Sequence, residues 1–348
     1  MMASESIIDT APADSNALRK AAASIIDHDR PAYSLRDEVL ELEALLEAAA
    51  NRPNLVQLDI SHGETRTPHG IAISPTMASM CVDDFARTVQ FIRGAHSAIV
   101  DAGQPGRAVH VLYAGCGPYA ALATPLMALF PASQAVFTLI DIHPASTISA
   151  RSVVASLGFG DRVKAIETID AMDYQMSGDD LPDVILIEML QTTLRSEPQV
   201  AVSRHLMAQA PHALLVPERV SVELMLVDGS REFDLDGSGL ERDRIPLGAA
   251  FAIDRDAIER WKNNSDDRLP GSDIKLPDAF DERYEPMLFT TIRVFKDHVL
   301  RDYDSGLTVP SKLPIDGDVP TGDTLRFSYQ LGNRPGLICE TNSPLTLY

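Results

Sequence analysis

The chain has 348 residues, of which 45% are hydrophobic, so it is long enough to bury a core in one large domain or two ordinary ones. Its 30 lysines and arginines against 50 aspartates and glutamates give a formal net charge of -20. A surface this acidic repels nucleic-acid phosphates and anionic lipids, so we expect neither nucleic acid nor membrane as a partner. The sequence shows no long apolar run and no signal-peptide pattern, which predicts a cytoplasmic protein. Its cysteines form no CxxC pair and predict neither a disulfide framework nor a metal site.

Residues 1–105 are predicted to form a helical cap. Asp14 supplies an N-cap for the first helix, Ser34 with Asp37 forms a capping-box start for the second, and Pro75 suits the first turn of the third. The Gly- and Pro-punctuated segment His62–Gly70 predicts a loop or short hairpin. The three predicted helices span Ala17–Asp27, Leu35–Ala50 and Pro75–Val100.

From residue 106 to residue 219, short apolar runs alternate with helical stretches, which is typical of βα units that build a parallel sheet. The predicted strands are Val109–Ala114, Ala135–Asp141, Val163–Thr168, Asp183–Glu188 and Ala213–Pro217. The predicted helices are Tyr119–Phe130, Ala145–Leu157 and Glu197–Ala210. Residues 220–348 predict a β-rich module, with strands at Val220–Val227, Met287–Phe295 and Thr324–Gln330. The fold class is therefore α/β.

The strongest chemical signal is the glycine-rich turn at Gly115 and Gly117, directly after the first strand of the α/β region. Glycines at this place let a ligand approach the backbone closely beside a helix N-terminus. Asp141 ends the second strand, where a carboxylate can accept hydrogen bonds from both ribose hydroxyls of an adenosine cofactor. Asp170 follows the third strand and can meet the adenine edge. The third glycine of the dinucleotide fingerprint is missing, because Tyr119 follows Gly117-Pro118, and this favours a cofactor without a pyrophosphate.

From Arg107 to Val220, this order of motifs resembles the class I S-adenosylmethionine-dependent methyltransferases. The resemblance implies a Rossmann-like sheet and S-adenosylmethionine as the cofactor. It implies that the glycine turn admits the methionine part, that Asp141 binds the ribose, and that Asp170 and Ala171 contact the adenine. Tyr113 stands where these enzymes commonly carry an acidic residue, so the methionine amino group is held differently.

Glu188 and Glu197 form a second motif. Glu188 ends the fourth predicted strand, and Glu197 lies nine positions after it. The spacing and the β-rich sequence that follows resemble the protein arginine methyltransferases, in which a loop with two glutamates holds a guanidinium. Two carboxylates suit a planar cation with five donors. Since the helical cap would admit only small molecules, the predicted reaction is N-methylation of a guanidino or amino group on a small amino-acid-like metabolite. The resemblance also implies a homodimer. The alternative for Glu197 is a helix-start carboxylate, because Pro198 follows it.

Two other functions stay open. S-adenosylmethionine enzymes of the azetidine-2-carboxylate synthase type cyclise the aminobutyrate chain of the cofactor and release methylthioadenosine. Aromatic faces stabilise a sulfonium, and Tyr113, Tyr119 and Tyr174 lie near strand ends or the glycine turn, although buried packing is the more common role of such tyrosines. The third possibility is a cofactor-binding protein without chemistry.

Three basic side chains of the third predicted helix form a further candidate group. Arg87, Arg93 and His96 are expected to lie on a solvated face, and the alternative is that they bind a substrate or cofactor carboxylate.

Overall fold

The computed structural model describes residues 14–50, 60–178, 180–234, 241–315 and 319–342. Two parts of the predicted helical cap, residues 1–13 and 51–59, lie outside the described residues. In the described part of the cap, the helices are α1 (Ser15–Ile25), α2 (Arg36–Ala50), α3 (Pro75–Met80) and α4 (Phe85–Ala102). The predicted loop or short hairpin is a hairpin of β1 (Thr65–Thr67) and β2 (Gly70–Ala72).

The prediction of one unbroken helix from Pro75 to Val100 is wrong. The chain passes from α3 into a 3₁₀ turn at Cys81–Asp83 and then leaves the helical conformation at Asp84, where ψ is 82°. The Asp84 side chain accepts the Arg87 N–H at 3.2 Å and so caps α4. It also accepts the Ser305 hydroxyl at 2.6 Å, which ties the break to the C-terminal part of the chain.

The middle of the chain forms a parallel sheet, of which the described residues supply five strands in the order β5-β4-β3-β6-β7. These strands are β3 (Val109–Ala114), β4 (Ala135–Asp141), β5 (Val163–Thr168), β6 (Val184–Ile187) and β7 (Leu214–Val216). The strand order reverses at β3, which pairs with β4 on one side and β6 on the other. In open parallel sheets, ligands bind outside the carboxyl ends of the strands at such a reversal.

The helices of this region are α5 (Thr124–Leu129), α6 (Pro144–Ser156) and α7 (Gln199–Gln209). The helix predicted from Tyr119 begins five residues later, at Thr124. Gly117 and Ala120 have left-handed backbone conformations, with φ of 65° and 44°, and such residues do not fit inside a right-handed helix. The turn after β3 is therefore longer than the sequence predicts.

The C-terminal part is β-rich, as the sequence predicts, and its strands are antiparallel. One sheet contains β8 (Arg219–Asp228), β9 (Arg244–Asp254), β11 (Tyr284–Phe295), β12 (His298–Leu300) and β13 (Ser311–Lys312). The other contains β10 (Arg268–Lys275), β14 (Thr324–Gln330) and β15 (Gly336–Thr341). Two short helices, α8 (Gly229–Glu232) and α9 (Arg255–Arg260), follow β8 and β9.

One continuous apolar cluster runs through all three regions of the chain. It includes the fully buried side chains of Leu18 in α1, Val111 in β3 and Leu224 in β8. Because the cluster crosses the predicted boundaries at residues 105 and 219, the division into a cap, a sheet domain and a β-rich module stays a prediction. Within the described ranges, the structure contains no helix with the length and apolar character that a bilayer crossing requires.

Candidate active site

A cavity of about 360 Å³ opens at the reversal of the parallel sheet, where β3, β4 and β6 end. This volume is near the lower end of the range of about 300–1,000 Å³ that is typical of small-molecule pockets. The walls combine the turn after β3 with the loop after β6, the hairpin β1–β2 and the first turns after α3. The cavity therefore suits one ligand of nucleoside size and leaves little room for a second large molecule.

The glycine turn lies on the wall of this cavity. Gly115 and Gly117 both have a left-handed backbone, with φ of 76° and 65°. A Cβ atom on Gly115 would lie 2.6 Å from Met189 Cγ, so the turn and the loop after β6 touch without space for a side chain. Gly117 donates its N–H to Asp141 Oδ2 at 2.9 Å. The turn and the end of β4 are thereby fixed to one another.

Asp141 is buried at the end of β4 and lines the cavity. Its Oδ1 accepts the His143 N–H at 2.8 Å, so each carboxylate oxygen already holds one backbone donor. A carboxylate has about four acceptor positions, which leaves capacity for a vicinal diol. The His143 ring hydrogen-bonds Thr65 of the hairpin at 3.1 Å, so His143 packs beside this site as part of its wall.

Asp170 and Ala171 also line the cavity, just beyond β5. Asp170 Oδ1 accepts the Met172 N–H at 2.9 Å, which fixes a tight turn at this point. This acidic turn and Asp141 lie at the carboxyl ends of the neighbouring strands β5 and β4. The structure thus brings the predicted ribose and adenine residues to the same cavity.

Glu188 and Arg87 form an ion pair in the wall of the cavity. Both side chains are largely buried, with exposed fractions of 9% and 12%. Burial acts to lower the pKa of Arg87, but the charge of Glu188 and the neighbouring Cys81 outweigh it and raise that pKa. Burial raises the pKa of Glu188, and the Arg87 charge offsets part of the rise. Glu188 Oε1 finds no hydrogen-bond partner among the described residues, so one polar atom of the pair is left for a ligand.

The expectation of a solvated face for the basic residues of α4 is wrong for Arg87 and Arg93. Arg93 is buried and donates to backbone carbonyl oxygens of residues 25, 27 and 30 at 2.6–2.7 Å, which ties α4 to the end of α1 and to the chain that follows it. His96 stacks on Phe130 at 5.0 Å between ring centroids. Arg87 is the one member of this group that lines the cavity, and its guanidinium is suited to a carboxylate.

Glu197 faces the same cavity from the other end of the loop that begins at Glu188. It is 6% exposed. Burial, with the Glu188 charge added, raises the pKa of Glu197 to about 8, and Arg87 and Gln191 offset only part of this. The carboxyl is therefore mainly protonated at neutral pH. Glu197 also directly precedes Pro198, the N-cap residue of α7, so its position fits the helix-start alternative as well.

The predicted aromatic residues divide between two places. Tyr113 and Tyr119 are buried and line the cavity, whereas Tyr174 is absent from its walls. Tyr174 lines a second cavity of about 450 Å³ with His110 and Thr138. Successive strand residues point to opposite faces, so His110 and Tyr113, three positions apart in β3, lie on different faces of the sheet. Tyr174 is thus placed away from Glu188 and Glu197.

Several wall residues have no signal in the sequence that we could read. Met77 and Cys81 lie one helical turn apart and face the cavity from the end of α3. Ile71 in β2 donates its N–H to the Ser196 carbonyl at 2.8 Å, which brings the hairpin onto the loop that carries Glu197. The hairpin itself was predictable, but its contact with a loop more than a hundred residues later was not. Among the described residues, no cluster of histidine, cysteine or carboxylate side chains suits a metal ion.

Comparison with known proteins finds a likeness in structure and none in sequence. No family model matches the sequence, and no curated protein matches it. Among solved structures, the chain is similar to protein arginine methyltransferase 10 of Arabidopsis thaliana, described in a uniquely open conformation. The likeness covers 72% of this chain and 86% of the plant protein, with 11% sequence identity and a TM-score of 0.47. A likeness of this size is too small to carry conclusions about activity.

Proposed function

We propose that this protein is an enzyme that binds S-adenosylmethionine in the cavity at the end of β3 and β4, within a Rossmann-like domain of the class I methyltransferase kind. One observation carries the proposal: the glycine turn after β3 is hydrogen-bonded to Asp141 at the end of β4, beside a cavity of nucleoside size. The two buried glutamates in the same cavity supply groups that can act on a nitrogen.

The residues present fit this cofactor. Asp141 retains acceptor capacity for the ribose hydroxyls, and Asp170 with Ala171 lies at the neighbouring strand end for the adenine. The backbone of Gly115 and Gly117 lines the cavity and is available to the methionine part. Glu188 Oε1, which has no hydrogen-bond partner among the described residues, can accept a hydrogen bond from the methionine amino group of the cofactor. It would take the role of the acidic residue that Tyr113 replaces in this sequence.

The leading reaction is methylation of a guanidino or amino nitrogen on a small metabolite. S-adenosylmethionine supplies a methyl group on a positively charged sulfur. Glu188 and Glu197 would orient the acceptor nitrogen so that its lone pair meets the methyl carbon in line with the breaking carbon–sulfur bond. Glu197 in its ionised form would accept the proton that this nitrogen loses. Their burial excludes water from the reacting atoms.

A second reaction is cyclisation of the cofactor itself, and two observations favour it. The cavity volume leaves little space for an acceptor beside a nucleoside. Arg87 already neutralises Glu188, so the two glutamates do not form the doubly anionic grip that an external guanidinium prefers. In this reaction the amine of the cofactor would lose a proton to ionised Glu197 and attack the aminobutyrate carbon next to sulfur; the bond from that carbon to sulfur breaks, and methylthioadenosine leaves. Arg87 and Glu188 would then hold the carboxylate and the amine of the same molecule.

Calorimetry tests the binding part of the proposal. We expect the wild-type protein to bind S-adenosylmethionine and the Asp141→Ala variant to lose at least about tenfold in affinity, because charge-assisted hydrogen bonds contribute about 1.5–3 kcal/mol. Asp161→Ala is the matched control, since Asp161 lies in the short turn before β5 with its side chain 64% exposed. Equal affinity in wild type and Asp141→Ala would reject the ribose assignment.

Mass spectrometry of the small-molecule products separates the reactions. The protein is incubated with S-adenosylmethionine alone and then with a set of guanidino and amino compounds. S-adenosylhomocysteine together with a methylated compound supports methyl transfer. Methylthioadenosine with a cyclic amino acid, formed without any added acceptor, supports cyclisation instead. Binding without turnover leaves a cofactor-binding protein. A homodimer and a cytoplasmic location stay proposals, and sedimentation in solution tests the first.

A further inference from the structure

The loop from Glu188 to Glu197, which we call the glutamate loop, has an unusual backbone. Thr193, Leu194 and Ser196 are left-handed, with φ of 57°, 57° and 67°. Residues with a Cβ atom adopt this conformation only at an energetic cost, so surrounding contacts must hold it. These three residues lie directly before Glu197, and their conformation sets the direction in which its side chain leaves the loop.

Side chains of the C-terminal strands provide those contacts. Thr290 in β11 is fully buried, and its hydroxyl accepts the Thr193 N–H at 2.9 Å. Tyr329 in β14 is also fully buried, and its hydroxyl donates to the Leu194 carbonyl at 2.8 Å. Each hydroxyl thus meets a strained residue of the glutamate loop. Removing a buried hydroxyl that hydrogen-bonds the backbone leaves that backbone group without a partner and lowers the stability of the local conformation.

The tyrosine itself is held by an aromatic stack. Its ring lies 5.0 Å from that of Phe251 in β9, and Phe251 lies 5.4 Å from Trp261 after α9, in both cases between centroids and nearly parallel. The stack gives the Tyr329 hydroxyl little freedom to move. On its other side the glutamate loop is tied to the hairpin through the Ile71 N–H and the Ser196 carbonyl.

We propose that Thr290 and Tyr329 are positioning residues for the active site, because they hold the glutamate loop in the strained form that keeps the Glu197 carboxyl inside the cavity beside Glu188. The C-terminal strands would then determine whether the cavity can accept a cationic nitrogen, although they contribute no side chain of their own to that contact. This inference rests on the proposed function for the role of Glu197 in the reaction.

The first test measures the ionisation of Glu197 without any ligand. The protein is labelled with ¹³C at the glutamate side-chain carboxyl, the Glu197 signal is assigned with Glu197→Gln, and its titration is followed by NMR. We expect a pKa near 8 in the wild type. In Thr290→Val and Tyr329→Phe the loop relaxes, the carboxyl gains water, and its pKa falls by about one or more units towards the usual 4.5.

Two controls accompany these variants. Thr290→Ser keeps the hydroxyl and should restore the wild-type titration. Tyr303→Phe removes a tyrosine hydroxyl that donates to Glu232 elsewhere in the C-terminal part, and it should leave the titration unchanged. If Tyr329→Phe fails to fold, the Thr290 pair still decides the question. A wild-type Glu197 titration in both Thr290→Val and Tyr329→Phe would overturn the proposal.

The second test connects position with catalysis. Thr290→Val should retain its affinity for S-adenosylmethionine, because the glycine turn and Asp141 are untouched, while kcat falls by about 100-fold. Equal loss of affinity and kcat would indicate a general structural defect and would contradict the positioning role. Failure of the wild-type protein to bind S-adenosylmethionine rejects the proposed function but leaves the NMR result on the loop standing, so the two failures are distinguishable.

Discussion

The protonation of Glu197 predicts that the cavity binds cations more strongly as the pH rises. The charges of Arg87 and Glu188 cancel, so ionisation of Glu197 gives this end of the cavity its net negative charge. With a pKa of about 8, the carboxyl must lose its proton before it can pair with a cation at neutral pH. For each pH unit below the pKa, removing the proton from Glu197 reduces the binding free energy of the cation by about 1.4 kcal/mol. Affinity at pH 7 should therefore be about tenfold weaker than above the pKa. At pH 6 it should be about a hundredfold weaker.

Methylguanidinium is a suitable probe, because a guanidinium keeps its charge across this range. Calorimetry at several pH values gives the affinities, and repeating it in buffers with different ionisation enthalpies counts the protons. With a pKa of about 8, binding at pH 7 should release about 0.9 proton. The Glu197→Gln variant should bind weakly at every pH and release none.

The opposite result is equally clear. Constant affinity from pH 6 to pH 9, without proton release, would show that Glu197 is already ionised or does not meet the cation. Either finding would refute the assignment of a protonated, cation-binding carboxyl to this end of the cavity. An affinity that rises with pH in the Glu197→Gln variant as well would place the titrating group elsewhere.

Two further predictions concern the stability of the cavity walls. Gly115→Ala should lower the free energy of unfolding in urea more than Gly117→Ala does, because the new Cβ at position 115 meets Met189 at 2.6 Å. At Gly117 only the left-handed backbone opposes a side chain, at about 1–2 kcal/mol. Equal losses of unfolding free energy would show that Met189 moves aside freely. Arg87→Met and Glu188→Gln should each lower the free energy of unfolding by about 3–5 kcal/mol, since each leaves a buried charge or polar group unpaired. The double variant should lose clearly less unfolding free energy than the sum of the two single variants. Additive losses would contradict a buried pair.

The strands β3, β4 and β6 could be predicted from the sequence because each is a short apolar run that is buried on both faces, whereas β5 is a partly exposed edge strand. The bounds of β3, β4 and β5 agree with the prediction to the residue. The positions of Gly115 and Asp141 could also be predicted from the sequence. Both residues follow or end strands of a parallel sheet, and the carboxyl ends of such strands meet at one edge of the sheet.

The environment of the glutamates could not be predicted in the same way. The partner of Glu188 is Arg87, which lies on a helix about a hundred residues earlier, and no periodicity links the two. Tyr174 was misplaced for a related reason, since a tyrosine in a loop carries no signal for the face of the sheet it will cover. The break before α4 had a signal in the sequence, because Asp84 is a good N-cap residue. The apolar pattern on both sides of Asp84 nevertheless predicted one continuous helix.

The tie between Tyr329 and the glutamate loop has a consequence for biosynthesis. The ribosome completes the glycine turn, Asp141 and both glutamates long before it makes β14. The hydroxyl that fixes the loop arrives only with one of the last strands described. Premature termination before β14 should therefore yield a polypeptide in which the glutamate loop lacks the hydrogen bond from Tyr329, so translation would complete the Glu197 end of the cavity last.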